Sequence, residues 1–114
     1  MSNNFIKVTQ VTQDTGNTTG IIKIDLHSRD IVVDGNTCEG NGVTIGFIQC
    51  EEGVENISIT GNTIRDCDTA GIKLFDGQGA RFIKNISVTG NTLSNAGIFM
   101  NHGGTPNPIS EGIV

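Results

Sequence analysis

Asp76 and His102 are the side chains of this sequence best suited to acid–base chemistry, and a repeat in the chain brings them level. Each follows a short alternating segment, in the series Gly42-Val43-Thr44-Ile45, Gly71-Ile72-Lys73-Leu74 and Gly97-Ile98-Phe99-Met100. Setting Ile45, Leu74 and Met100 level puts Phe47, Asp76 and His102 in one column, with neighbours about 4.8 Å apart across paired strands. A carboxylate beside an imidazole orients the ring and raises its basicity, which prepares a general base for proton abstraction or for activating water. Glu51 and Glu52 leave the preceding segment and offer a carboxylate partner for Asp76; glycoside hydrolysis uses two such groups roughly 5 to 9.5 Å apart. Against the catalytic reading stands a plainer one, since acidic residues in turns are usually only solvated. The same alignment puts Lys73, Phe75, Phe99 and Asn101 on the outer side of the segment, a mixed face suited to sugar or to another subunit. The chain has neither Trp nor Tyr, which weakens the sugar reading and favours a subunit contact.

Other chemistries find less support. Asp66-Cys67-Asp68-Thr69-Ala70-Gly71 opens like a calcium loop, but Ala70 replaces an oxygen ligand and Gly77 stands where a bidentate Glu is needed. The three cysteines are an odd number without zinc-ligand spacing, so neither a disulfide framework nor a metal site is expected. Cys38 falls in an apolar column, Cys50 ends a segment and Cys67 falls in a turn. No cofactor is implied. Asn17-Thr18-Thr19, Asn56-Ile57-Ser58 and Asn85-Ile86-Ser87 match a glycosylation sequon, but the last two follow from the repeat itself. A net charge of -5 with only seven scattered Lys and Arg argues against nucleic acid as a partner. No apolar run has the length to span a bilayer, so no membrane role is expected, and Met1-Ser2-Asn3-Asn4 does not open a signal peptide.

The elements that must position these residues repeat around Gly-Asn-Thr, which occurs at Gly35-Asn36-Thr37, Gly61-Asn62-Thr63 and Gly90-Asn91-Thr92. The spacing is 26 residues and then 29, a period that means stacked supersecondary units. Five residues before each Asn stands Ile31, Ile57 or Ile86; three before stands Val33, Ile59 or Val88; two after stands Cys38, Ile64 or Leu93. Polar residues fill most of the intervening columns, the alternation of a half-buried strand. Inward parity changes between the third residue before Asn and Asn itself, so the chain bends at the Gly between them, where positive φ costs nothing. Repeated bends of one hand wind a β-solenoid whose strands pair in parallel. Asn36, Asn62 and Asn91 then stack, each amide donating to the next carbonyl, and the buried polar column satisfies itself.

In the forms Asn56-Ile57-Ser58-Ile59-Thr60-Gly61-Asn62-Thr63-Ile64 and Asn85-Ile86-Ser87-Val88-Thr89-Gly90-Asn91-Thr92-Leu93, the chain resembles the right-handed parallel β-helix proteins of the pectin-lyase-like type. The resemblance covers roughly residues 28 to 100. It implies an all-β, right-handed parallel β-helix of about four coils, forming a single domain over 1–114. Residues 1–27 make an irregular first coil, with Ile6 and Val8 set 25 residues before Ile31 and Val33 and Gly20-Ile21 in the place of a second strand. Regular coils follow over 28–110. Glu111-Gly112-Ile113-Val114 resembles Glu55-Asn56-Ile57-Ser58 and starts a further coil, with no evident cap, so the chain reads as a fragment or as one capped by other subunits. The family includes pectate lyases, polygalacturonases, alginate epimerases and phage tailspike depolymerases. The resemblance therefore implies polysaccharide binding or degradation, by a hydrolase or lyase if catalytic, in a virion or extracellular setting. A non-enzymatic structural module that trimerises or extends a longer fibre is the alternative. Because the repeated residues are scaffold, the pattern specifies fold far better than function.

Overall fold

The computed structural model describes residues 1, 3–7, 22–51, 53–75, 83–101 and 110–111, with 6, 7, 41–47, 68, 69, 75, 99–101, 110 and 111 described in backbone only. The described residues form ten strands: β1 (Phe5–Lys7), β2 (Ile22–Ile24), β3 (Arg29–Asp34), β4 (Thr37–Glu51), β5 (Glu55–Thr60), β6 (Thr63–Phe75), β7 (Ile83–Thr89), β8 (Thr92–Ser94), β9 (Ile98–Asn101) and β10 (Ser110–Glu111). All pair in parallel. One sheet runs β3-β5-β7-β10. The other has two arms: β1, the start of β4, the start of β6 and β8 make the first arm, while β2, the ends of β4 and β6, and β9 make the second.

The register follows the apolar columns. Ile31, Ile57 and Ile86 are level, as are Val33, Ile59 and Val88, and Cys38, Ile64 and Leu93. Val33, Ile57, Ile59, Ile64 and Ile86 are buried and pack with Ile48, Ile72 and Leu74 from the second arm into one core. Burial of this apolar surface is the main force that holds the coils together. At each bend the glycine takes positive φ: 65° at Gly35, 66° at Gly61 and 64° at Gly90.

The asparagine ladder forms as expected and has one rung more. Asn36 donates from Nδ2 to Oδ1 of Asn62 at 2.9 Å, and Asn62 does the same to Asn91 at 2.9 Å. Each Oδ1 also accepts the backbone N–H of the preceding rung. Asn4 extends the column, donating through both Nδ2 and its backbone N–H to Asn36 Oδ1. Ile6 is therefore level with Cys38, whereas its spacing of 25 residues from Ile31 predicts a place in the Ile31 column. The Asn, with its polar demand, fixes the register of the first coil more strictly than the interchangeable Ile and Val. Val8 and Gly20-Ile21 lie outside the described residues.

The second arm departs from the expected alignment. Ile48 is level with Ile72 and Cys50 with Leu74, so Ile45 is not in the Leu74 column and Phe47 falls between the levels of Ala70 and Ile72. Between Glu39 and Gly46 the ladder slips, because β4 carries more residues than β6 over the same path, and a bulge absorbs the difference. The other half of that alignment holds: Leu74 is level with Met100 and Phe75 with Asn101. Cys67 lies within β6 and not in a turn, and Cys50 is a core residue. Glu111 is level with Lys84, and Lys84 with Glu55; residues 112–114 lie outside the described residues.

Candidate functional site

Strand parity selects the residues that face away from the core. On the second arm Ile24, Ile48, Cys50, Ile72 and Leu74 point inward, which turns Lys23, Gln49, Glu51 and Lys73 to the outer face. Lys23, Gln49, Lys73 and Phe99 are level in one column. Glu51, Phe75 and Asn101 are level in the next. Outward residues of a sheet are normally solvated, yet Gln49 is 1%, Lys73 7% and Glu51 9% exposed. Lys73 thus belongs to a buried polar layer, not to the open mixed face that alternation alone predicts.

The layer is tied together by charge. Lys23 Nζ lies 2.5 Å from Glu51 Oε1 and 2.7 Å from Asp25 Oδ2, so one ammonium is shared by two carboxylates. Gln49 Nε2 donates to the other oxygen of Glu51 at 2.7 Å. The hydrogen bond to Asp25 and that to Glu51 hold the Lys23 pKa well above its usual range, with desolvation a smaller opposing effect. Gln49 Oε1 is buried without a hydrogen-bond partner. An orphan acceptor of that kind costs about 1–3 kcal/mol, which makes it the least satisfied group among the described side chains. On the first arm the outer face is more open, and Arg65 pairs there with Glu39 across one ladder step.

Of the candidate residues of the sequence, Glu51 and Lys73 both lie in this layer, in adjacent columns, while Phe75, Phe99 and Asn101 are placed by their backbones in the same columns. Glu51 is the last residue of β4, level with Phe75, and its carboxylate is committed to Lys23 and Gln49. Glu52, Asp76 and His102 lie outside the described residues; in sequence they directly follow Glu51, Phe75 and Asn101, which the ladder holds level. Lys23, Asp25 and Gln49 were not singled out. Their signal is present in Ile22-Lys23-Ile24-Asp25 and Ile48-Gln49-Cys50-Glu51, which share the alternation of Ile72-Lys73-Leu74-Phe75, but aligning Ile45 with Leu74 hides it.

The remaining motifs are structural. Cys38, Cys50 and Cys67 are free thiols buried in the core, and burial pushes their pKa up to about 11, 12 and 11 respectively. The calcium-like stretch lies within β6, and no group of His, Cys, Asp and Glu among the described residues is arranged to hold a metal. Asn56 and Asn85 of the sequons belong to a second, exposed ladder: Asn85 Nδ2 donates to Asn56 Oδ1 at 3.0 Å and Asn56 Nδ2 to Asp30 Oδ1 at 2.9 Å, all three at positive φ. Among the described residues no helix is long and apolar enough to cross a membrane.

A family model described as a right-handed β-helix region matches residues 1–113. This chain belongs to the right-handed β-helix family. Parallel pairing throughout, the stacked columns and the asparagine ladder are the physical content of that membership. No curated protein and no solved structure matches this β-helix.

Proposed function

We propose that this β-helix module binds a polysaccharide along the outer face of its second arm, as in tailspike depolymerases or pectate-lyase-like proteins. The observation that carries the reading is the orphaned carbonyl of Gln49 inside the Lys23–Glu51 layer. A sugar presents many hydroxyls, each both donor and acceptor. One such hydroxyl supplies the donor that Gln49 Oε1 lacks, and neighbouring ones exchange with the contacts among Lys23, Asp25 and Glu51. Lys23 is the most exposed member of the cluster, its side chain 34% accessible, and its displacement opens the layer. The columns advance along the coil axis at about 4.8 Å per step, so an extended chain lying on them meets a different outward side chain at each coil.

Catalysis, if the module degrades its ligand, falls to Asp76 and His102, with His102 as acid or base and Asp76 orienting it. Replacing either by Ala then cuts turnover by about a hundredfold or more. The binding reading is tested by calorimetric titration of the chain with neutral and acidic polysaccharides. Gln49→Leu is expected to weaken binding about tenfold, the worth of one hydrogen bond of roughly 1.4 kcal/mol. No binding by the folded parent across the panel would turn the reading to its alternative, a structural module of a longer fibre. That alternative draws support from the exposed Val32 and Ile98, at 50% and 52%, which suit contact with other subunits.

A further inference from the structure

Gln49 stands between two lysines. Pairing of β2, β4 and β6 puts Lys23, Gln49 and Lys73 in one outward column, so Gln49 is one ladder step, about 4.8 Å, from a lysine on either side. Its amide nitrogen is committed to Glu51 at 2.7 Å. Its carbonyl, at a residue only 1% exposed, has no hydrogen-bond partner among the described residues. The column therefore sets one unused acceptor between two groups that can only donate, since an ammonium has three N–H bonds and no lone pair.

The complement of that pattern is a hydroxyl. It gives one proton and accepts through two lone pairs, so it serves the Gln49 carbonyl and still has acceptors for a lysine on either side. A carboxylate brings no proton to Gln49, and it meets Asp25 and Glu51, which already hold the Lys23 ammonium at 2.7 and 2.5 Å. To take Lys23 it must displace one of them and leave that carboxylate unpaired in a largely buried layer. An ammonium can donate to Gln49, but it lands between two like charges, where the burial of Lys73 removes the water that would screen them. The formal charges of the layer balance, Lys23 and Lys73 against Asp25 and Glu51, so no excess charge there favours an ion of either sign. At longer range the net charge of -5 repels polyanions.

We propose that the outer face of the second arm selects an uncharged, hydroxyl-rich polysaccharide and refuses both polyuronates and amine-bearing polymers, with Gln49 and its flanking lysines as the specificity determinants. The inference rests on the reading that this face binds a glycan, and it adds the charge class of that glycan.

The side-chain amide resonances of Gln49 report on the site itself, apart from unspecific attraction elsewhere on an acidic chain. The folded chain is titrated with dextran, mannan and galactan, with polygalacturonate and alginate, and with chitosan in mildly acidic buffer that keeps its amines protonated. Salt is held at about 0.15 M, where charges more than about 8 Å apart are largely screened. At least one neutral polymer is expected to shift the Gln49 signals saturably, with an affinity that changes less than about twofold between about 0.05 and 0.2 M salt. Polygalacturonate, alginate and chitosan are expected to leave those signals in place. Lys23→Met removes one flanking cation and frees Asp25 and Glu51, so chitosan is expected to shift the Gln49 signals of that variant; the parent titrations decide alone where the variant does not fold. Saturable shifts of the parent by a charged polymer, or no response of folded Lys23→Met to chitosan, would overturn the charge assignment and leave glycan binding standing. Silence of the Gln49 signals with every polymer would overturn glycan binding at this face and the inference with it.

Discussion

Replacing Asn62 by Ala removes the middle of the ladder, and the cost can be worked from its contacts. Asn62 Oδ1 accepts the backbone N–H and the Nδ2 of Asn36, each at 2.9 Å, while its Nδ2 donates to Val33 O and Asn91 Oδ1, also at 2.9 Å. Asn36 Nδ2 keeps Met1 O and Asp34 O as acceptors, and Asn91 Oδ1 keeps the backbone N–H of Asn62. The group left orphaned is the N–H of the buried Asn36, while the Val33 carbonyl loses one of two donors and keeps its ladder bond from Thr60 across β3 and β5. At about 1–3 kcal/mol for the orphan and about 1 kcal/mol for the bond lost at Val33, the loss is about 2–4 kcal/mol, against a whole-domain stability of about 5–15 kcal/mol. Asn62→Asp is expected to be worse, because its carboxylate faces two acceptors, Val33 O and Asn91 Oδ1, that can give it no proton. Urea denaturation followed by far-UV circular dichroism measures both. A midpoint for Asn62→Ala that shifts by less than the equivalent of about 0.5 kcal/mol would refute the reasoning, since that is the range of an ordinary surface substitution.

Three further outcomes are expected. Ile59→Asp buries an unpaired carboxylate in the core and unfolds the domain, whereas Ser58→Asp, on the other face of β5, changes stability by about 0.5 kcal/mol or less in a thermal melt. The unfolded chain releases its thiol protons near pH 8.5, whereas the folded chain holds them to about pH 11–12, so the unfolded state binds fewer protons and stability falls with pH above about 8.5. Each thiol then costs roughly 2 kcal/mol by pH 10, visible as a falling melting temperature in reductant between pH 8 and 10. Lys23→Ala leaves Asp25 and Glu51 without their shared ammonium and is expected to cost about 1–3 kcal/mol in urea titration, between surface and buried ion pairs; the raised Lys23 pKa means that this contribution is present below about pH 10.4 and fades above it.

The fold was legible because its determinants are local and repeated. Three Gly-Asn-Thr turns and the flanking Ile and Val columns leave few arrangements other than a parallel coil, and the observed register matches theirs residue for residue in β3, β5 and β7. The second arm was harder to read. Its repeats have only an apolar-polar alternation, which looks the same at every even offset, and nothing local in Glu39–Gly46 announces the bulge that sets the true pairing. That degeneracy hid the Lys23, Asp25 and Gln49 part of the site, although each obeys the pattern. The burial of Gln49 and Lys73 on an outward face was beyond sequence parity altogether, because alternation states which way a side chain points and not what lies over it.

The most direct test of the functional account is an amide chemical-shift titration of the folded chain with a polysaccharide panel. Binding along the second arm is expected to move the resonances of Ile22–Ile24, Ile48–Glu51 and Ile72–Leu74 in a saturable way, and to leave β3, β5 and β7 in place. Shifts confined to β3, β5 and β7, or none with any polysaccharide, would contradict it.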